Sequence, residues 1–242
     1  MHRDELHTYL NDYLQSSRYR DYAPNGIQIE GKTEIRRITT AVTASQAAIE
    51  AAIAQQADAL LVHHGYFWKG EAPAITGIKK QRIADLLAHD INLIAYHLPL
   101  DQHAELGNNA LFARHFDYET VWQSVAEPLI WHARIHPTTL SALLDRLAHD
   151  LDRLPLAVGE NTGELTHIAW CTGAAQDYLQ QAAAEGAQAY ISGEYAERSY
   201  HEARESGCTY ISCGHHASER AGIRALGEQI TKIGRASCRE RV

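Results

Sequence analysis

Residues 37–65, RITTAVTASQAAIEAAIAQQADALLVHHG, and residues 167–195, HIAWCTGAAQDYLQQAAAEGAQAYISGEY, register against each other without a gap at an offset of 130. Ile38 falls over Ile168, Ala52 over Ala182, Ala57 over Ala187 and His64 over Glu194. Each stretch reads as a short β-rich run, a small-residue turn, an Ala-rich helix and a second apolar strand. Ala, Gln and Glu favour the helix, and its apolar residues recur at i, i+3 and i+4. The runs 59–62 and 189–191 have the length and the polar or glycine flanks of strands. The segments downstream of the two stretches repeat as well: helices are predicted over 79–89 and 199–205, then strands over 91–96 and 209–213. Strand alternating with helix predicts an α/β fold with largely parallel strands. Two intertwined strand–helix–strand repeats would then form layered α/β halves.

The expected organisation is a first repeat over 1–115, with an amphipathic helix at 3–14, and a second repeat over 164–233. Between them, 116–163 reads as a linking segment, with an aromatic, Pro-bearing stretch at 122–137 and a helix-like run at 139–150. Residues 21–26, DYAPNG, read as a turn. The tail 234–242, GRASCRERV, has no apolar period, looks non-native, and implies a sheet lacking its C-terminal strand.

Composition bounds the function. With 45% hydrophobic and 21% charged residues the chain reads as an ordinary globular protein. No run approaches the roughly 18 apolar residues of a membrane span. The start, MHRDE, lacks the apolar core of a secretory signal, so cytoplasm is the expected compartment. A net charge of −8 without a basic stripe argues against extended nucleic acid as a partner. Cys171, Cys208, Cys213 and Cys238 show no CxxC spacing, which favours small buried hydrophobes over disulfides for the first three.

The chemistry gathers at strand ends. His63-His64 closes the apolar run 59–62 and precedes Gly65, while His215-His216 comes after the strand at 209–213. His97 with Asp101 and His215 with Glu219 are both a histidine with a carboxylate four residues later. Ligand sites of α/β sheets lie at the carboxyl ends of strands, where His63, His97, Glu194 and His215 all fall on this reading. His63, His64, Asp101, His215 and Glu219 together offer a donor set suited to zinc, iron, manganese or nickel better than calcium. Glu219 can bridge two ions about 3.5–4 Å apart. A helical turn would put His215 and Glu219 on one face. Pro99 disfavours a regular helix between His97 and Asp101, so a loop is expected to orient Asp101. Glu194 reads as a ligand, a general base or a strand-end charge.

DYAPNGIQIEG (21–31), VTASQ (42–46), LLVHHGYFWKG (60–70), HLPLDQHAELGNNA (97–110), WCTG (170–173), ISGEY (191–195) and GHHASERAGIRAL (214–226) resemble the Nif-three-like family. Its members carry the name GTP cyclohydrolase I type 2 homolog. The resemblance implies a dinuclear metal centre on His63, His64, Asp101, His215 and Glu219, with Glu219 bridging and His97 beside it. It also implies a homohexameric ring with metal sites facing an internal cavity.

The expected activity is metal-dependent hydrolysis of a small polar substrate, a nucleotide or purine-like ring being one class. Two divalent ions per subunit would activate a bridging water. His97 or Glu194 would carry the proton as the catalytic residue. The alternative is a non-catalytic metal-binding or metal-delivery scaffold, for which His103, His132 and His136 would offer accessory ligands.

Overall fold

The computed structural model describes residues 1–159, 163–233 and 237–240. From the N-terminus come α1 (Arg3–Tyr13), β1 (Gly26–Ile29), β2 (Arg37–Thr43), α2 (Gln46–Ala54), β3 (Ala59–His64), α3 (Gly77–Ala88), β4 (Asn92–Ala95) and α4 (Leu98–Gln102). Next are α5 (Asn108–Phe112), β5 (Tyr118–Gln123), β6 (Trp131–Thr138), α6 (Leu140–Leu151) and β7 (Leu156–Val158). Then come β8 (Leu165–Trp170), α7 (Leu179–Ala184), β9 (Ala189–Ser192), α8 (Glu197–Ser206) and β10 (Thr209–Ser212). The last elements are α9 (His215–Lys232) and β11 (Ser237–Glu240). The chain forms two compact units, residues 1–106 with 222–242 and residues 107–221. The first unit is therefore closed by a chain that leaves it and returns, which is the intertwining expected of the repeats.

The sheet of the first unit has the order β1-β4-β3-β2-β11, parallel except for antiparallel β1. Successive side chains of a strand face opposite ways. Ala59 and Leu61 accordingly join Ile38, Val42 and Ile94 under Leu6 and Leu10 of α1 and Ile223, Leu226 and Ile230 of α9. Leu60 and Val62 join Leu93 and Ala95 under Ala48, Ile49 and Ala52 of α2 and Ile83 and Leu86 of α3. Apolar on both faces, β3 reads as a continuous hydrophobic run because helices cover both faces of its sheet.

The second unit repeats this plan. Its sheet has the order β5-β6-β8-β9-β10-β7, with β8, β9 and β10 parallel and their neighbours β6 and β7 antiparallel. Ala189 and Ile191 pack with Leu143, Leu147 and Leu151 of α6. Tyr190 and Tyr210 pack on the other face with Leu179 and Ala182 of α7 and Ala203 of α8. The repeat reaches further than the 37–65 match. In both units a helix (α1 or α6) and an antiparallel edge strand (β1 or β7) precede the parallel core.

The expected linking segment 116–163 is thus corrected: β5, β6, α6 and β7 all belong to the second unit. β5 pairs with β6 at the sheet edge and is largely exposed on both faces. It shows no apolar alternation, and periodicity cannot reveal such a strand. The expected loss of a C-terminal strand is corrected too, since β11 pairs in parallel with β2 from Ser237↔Arg37 to Glu240↔Thr40. Backbone hydrogen bonds to an open strand edge do not require an apolar side-chain pattern. Residues 234–236 and 241–242 of that tail lie outside the described residues.

The histidines expected to offer accessory ligands divide. His103 is a local cap: its Nδ1 accepts from the Glu105 and Leu106 amides, and its ring lies 4.8 Å from Tyr13. His136 is exposed beside Glu119. His132 is fully buried, with Nδ1 3.1 Å from His167 Nε2 and Nε2 2.9 Å from Glu185 Oε2, under the ring of Trp122. Burial, with Arg134 and His132 nearby, pushes His167 down to about 4, and burial also lowers His132. A histidine whose folded pKa is depressed is held neutral, so the unfolded chain binds more protons between pH 6.5 and 4. Stability should therefore be full above pH 6.5 and fall as the pH drops to 4, by up to about 3 kcal/mol from His167. Urea melts across that range check this. A His167→Gln variant should show a shallower slope, and an unchanged slope would contradict the assignment.

Candidate metal centre

In the first unit, strand alternation assigns His63 to the face of Ala59 and Leu61, and His64 to the other. At the end of β3 the two rings nonetheless come within 4.4 Å, with the His97 ring 5.2 and 5.6 Å from them. His63, His64 and His97 each offer a nitrogen within 4.8 Å of the others'. His63 is wholly buried, and its Nδ1 donates to the Tyr96 carbonyl oxygen at 2.9 Å. That bond makes Nε2 the lone-pair nitrogen of a neutral ring, and Nε2 lies 3.4 Å from Asp101 Oδ1. Two acceptors facing each other at that distance need a proton or a cation between them. The donor set, imidazoles with a buried carboxylate, fits a divalent transition ion.

His97 sits at the N-cap of α4, where backbone and side chain are both anchored. Its amide donates to Asn25 Oδ1 at 2.8 Å and its Nδ1 lies 2.6 Å from Asp21 Oδ1, while the Leu98 amide donates to Asp21 Oδ2 at 2.9 Å. Burial alone would raise the Asp21 pKa, but the hydrogen bonds from His97, Asn25 and Tyr22 hold the carboxyl below its ordinary range. The Trp68 ring stands edge-on to His97 at 5.0 Å. The expectation of a loop at Asp101 is corrected. Asp101 lies on α4, because Pro99 falls in the first helical turn, where its missing N–H is no loss.

In the second unit, His215 opens α9 and stands between two carboxylates. Nδ1 is 2.7 Å from Glu194 Oε1 and Nε2 is 3.1 Å from Glu219 Oε2 one turn on. Burial would lower its pKa, but the hydrogen bonds and charges of Glu219 and Glu194 lift it to about 9. Glu219 is buried, and it fits against Gly173, whose φ is +74° and whose missing Cβ would lie 2.2 Å from Glu219 Oε1. Glu194 thus holds the histidine ring, as outer carboxylates do for metal-ligating histidines. His216 is exposed.

Of the residues predicted from sequence, His63, His64, His97 and Asp101 are brought together in the first unit, and Glu194, His215 and Glu219 in the second. Sequence reasoning missed Asp21 and Asn25, which it read as a plain turn, and Gly173. Their signals were the DYAPNG and WCTG stretches themselves, but their roles reside in contacts with residues far along the chain.

A family model, Duf34/NIF3 (NGG1p interacting factor 3), matches residues 1–239. The chain belongs to this family. A relative from Haemophilus influenzae named "GTP cyclohydrolase 1 type 2 homolog" is 50% identical over 237 residues, covering 96% of this chain and 94% of its own. One of the same name from Allochromatium vinosum is 47% identical over 230 residues, covering 94% and 91%. Among solved structures, a protein called ybgI, of unknown function, superposes with a TM-score of 0.96 at 44% identity, covering 100% of this chain and 98% of that one. TTHA1606 from Thermus thermophilus gives a TM-score of 0.89 at 30% identity, covering 99% and 97%. No described helix is long and apolar enough to cross a membrane.

Two outcomes are expected. Gly173→Ala should cost about 1–2 kcal/mol for its left-handed backbone and should weaken metal uptake by displacing Glu219, read by thermal melts and metal analysis. Unchanged metal uptake would contradict the fit. An ion held by His215 would displace its proton, so apparent affinity should then rise about tenfold per pH unit from about 7 to 9, measured by competition with a chelator.

Proposed function

We propose that this Duf34/NIF3 protein is a metal-dependent hydrolase with a dinuclear centre that His63, His64, Asp101, His215 and Glu219 would hold. The observation that carries it is the approach of His63 Nε2 to Asp101 Oδ1 at 3.4 Å while His63 Nδ1 is held by the Tyr96 carbonyl oxygen. Zinc, iron, manganese or nickel would suit this donor set. Such ions, when bound, lower the pKa of water and polarise a scissile bond.

The chain's own residues supply the rest. Asp21 accepts from His97 Nδ1, which leaves Nε2 to take up and return a proton during turnover. This is the catalytic role assigned to His97. Glu194 acts through His215, fixing its ring, and is a positioning residue more than a second base. Trp68 shields one side of His97 from water. The substrate is a small polar molecule, with nucleotides and purine-like rings the first class to test given the name of the relatives. The protein would act in the cytoplasm as a homohexameric ring. The alternative of a metal-delivery scaffold loses two of its three accessory histidines, because His103 and His132 are committed to local packing.

His64→Ala should retain the fold by circular dichroism and lose bound metal by elemental analysis; full metal content would sink the site assignment. Metal-replete protein should hydrolyse at least one member of a panel of nucleotides and phosphoesters, and His97→Gln should slow it about 10²–10⁴-fold. Inertness across the panel would remove the hydrolase reading.

A further inference from the structure

Beside the His215–Glu194 pair, within the second unit, lies a cavity of about 410 Å³ that neither residue's role explains. Its walls include Arg153, Leu154, Leu156 and Tyr195. Leu154 is 86%, Leu156 49% and Tyr195 40% exposed, so three apolar side chains line the cavity and face water. Arg153 forms no ion pair with any described carboxylate. Its side chain instead lies on Gly214: the three atoms closest to the absent Cβ are Arg153 Nε, Cδ and Cζ, at 2.3, 2.6 and 2.9 Å. Gly214 has φ of +91°, so backbone shape calls for glycine at the point where the guanidinium rests. Glu194 does not draw the cation away, being bound to His215 at 2.7 Å.

We propose that this cavity is the substrate subsite of the metal centre, with Arg153 binding the phosphate of an aryl or heteroaryl phosphate whose ring lies against Tyr195, Leu154 and Leu156. The proposal deepens the metal-dependent reading and takes its meaning from it, since the subsite borders His215. A guanidinium presents a planar fork of donors that matches phosphate oxygens in pairs. A tyrosine face and two leucines are the surface on which a planar ring stacks. The acidic chain needs no basic patch to take such a ligand, because one seated cation and an apolar wall select it.

Calorimetric titration of the full chain after treatment with EDTA tests this with three probes: phenyl phosphate, inorganic phosphate and phenol. Phenyl phosphate should bind more tightly than either fragment. Arg153→Ala should weaken it at least tenfold, with Arg153→Lys intermediate and Tyr195→Ala weakening phenyl phosphate but not inorganic phosphate. Arg153 is exposed, so its variants should melt with the wild type and, on reloading, take up the same metal. Wild-type affinity in Arg153→Ala, or no saturable binding of phenyl phosphate to the wild type, would overturn the proposal. Because the titration is run without metal, a wild type that takes up no metal defeats the metal reading alone. A loss of phenyl phosphate affinity with metal content intact belongs to the subsite alone.

Discussion

The bond from His63 Nδ1 to the Tyr96 carbonyl oxygen is the constraint on which the histidine cluster of the first unit depends. It joins the end of β3 to the residue after β4, so the aim of the imidazole is set by the parallel pairing of the two strands. Tyr96 is itself fixed, its amide donating back to Val62 and its hydroxyl to Asn11. The same device recurs at each candidate histidine. Thr43 lies at His64 Nδ1, Asp21 at His97 Nδ1 and Glu194 at His215 Nδ1. Holding one nitrogen with a protein oxygen orients the other, and it does so before any ion arrives.

Glycine serves the His215–Glu219 cluster of the second unit as hydrogen bonding serves the histidines of the first. Gly173 and Gly193 lie where neighbouring parallel strands end, and the Gly193 amide donates to the Gly173 carbonyl at 2.8 Å. A Cβ on Gly193 would come within 2.7 Å of the His215 Cα, so a side chain there would push this backbone away from the start of α9. Small residues thus let a buried carboxylate and a helix start share the space above a strand end. At the offset of 130, His63 and His64 stand where the second repeat has Gly193 and Glu194, so the repeats agree in plan and differ in the residues they present.

The repeated core was legible because parallel strands covered by helices on both faces are apolar throughout, and because the Ala-rich helices between them keep a 3.6-residue period. β5 and β11 were not legible. One is exposed on both sides and the other is joined to the sheet through backbone groups, so neither leaves a hydrophobic signature. Pro99 reads as a breaker in sequence, yet its position in the first turn of α4 makes it an acceptable helix start. The metal-ligand types could be picked out at strand ends one by one. Asp21, Asn25 and Arg153 could not, since each is an ordinary loop residue until a distant segment lies against it.

Residue type and order alone determined that this chain alternates strands and helices in two related halves, and that histidines and carboxylates close the strands. That much comes from periodicity and from where an α/β sheet leaves its strand ends open. Tertiary structure decided which nitrogen each imidazole presents, that Asp21 and Glu194 hold the rings, and that Gly173 and Gly214 take the left-handed backbone that favours glycine. These depend on distances between residues dozens of positions apart, such as the 2.6 Å between His97 and Asp21. Pattern in a sequence reports which side of an element is apolar; only packing brings one element's side chain to the hydrogen-bonding atom of another.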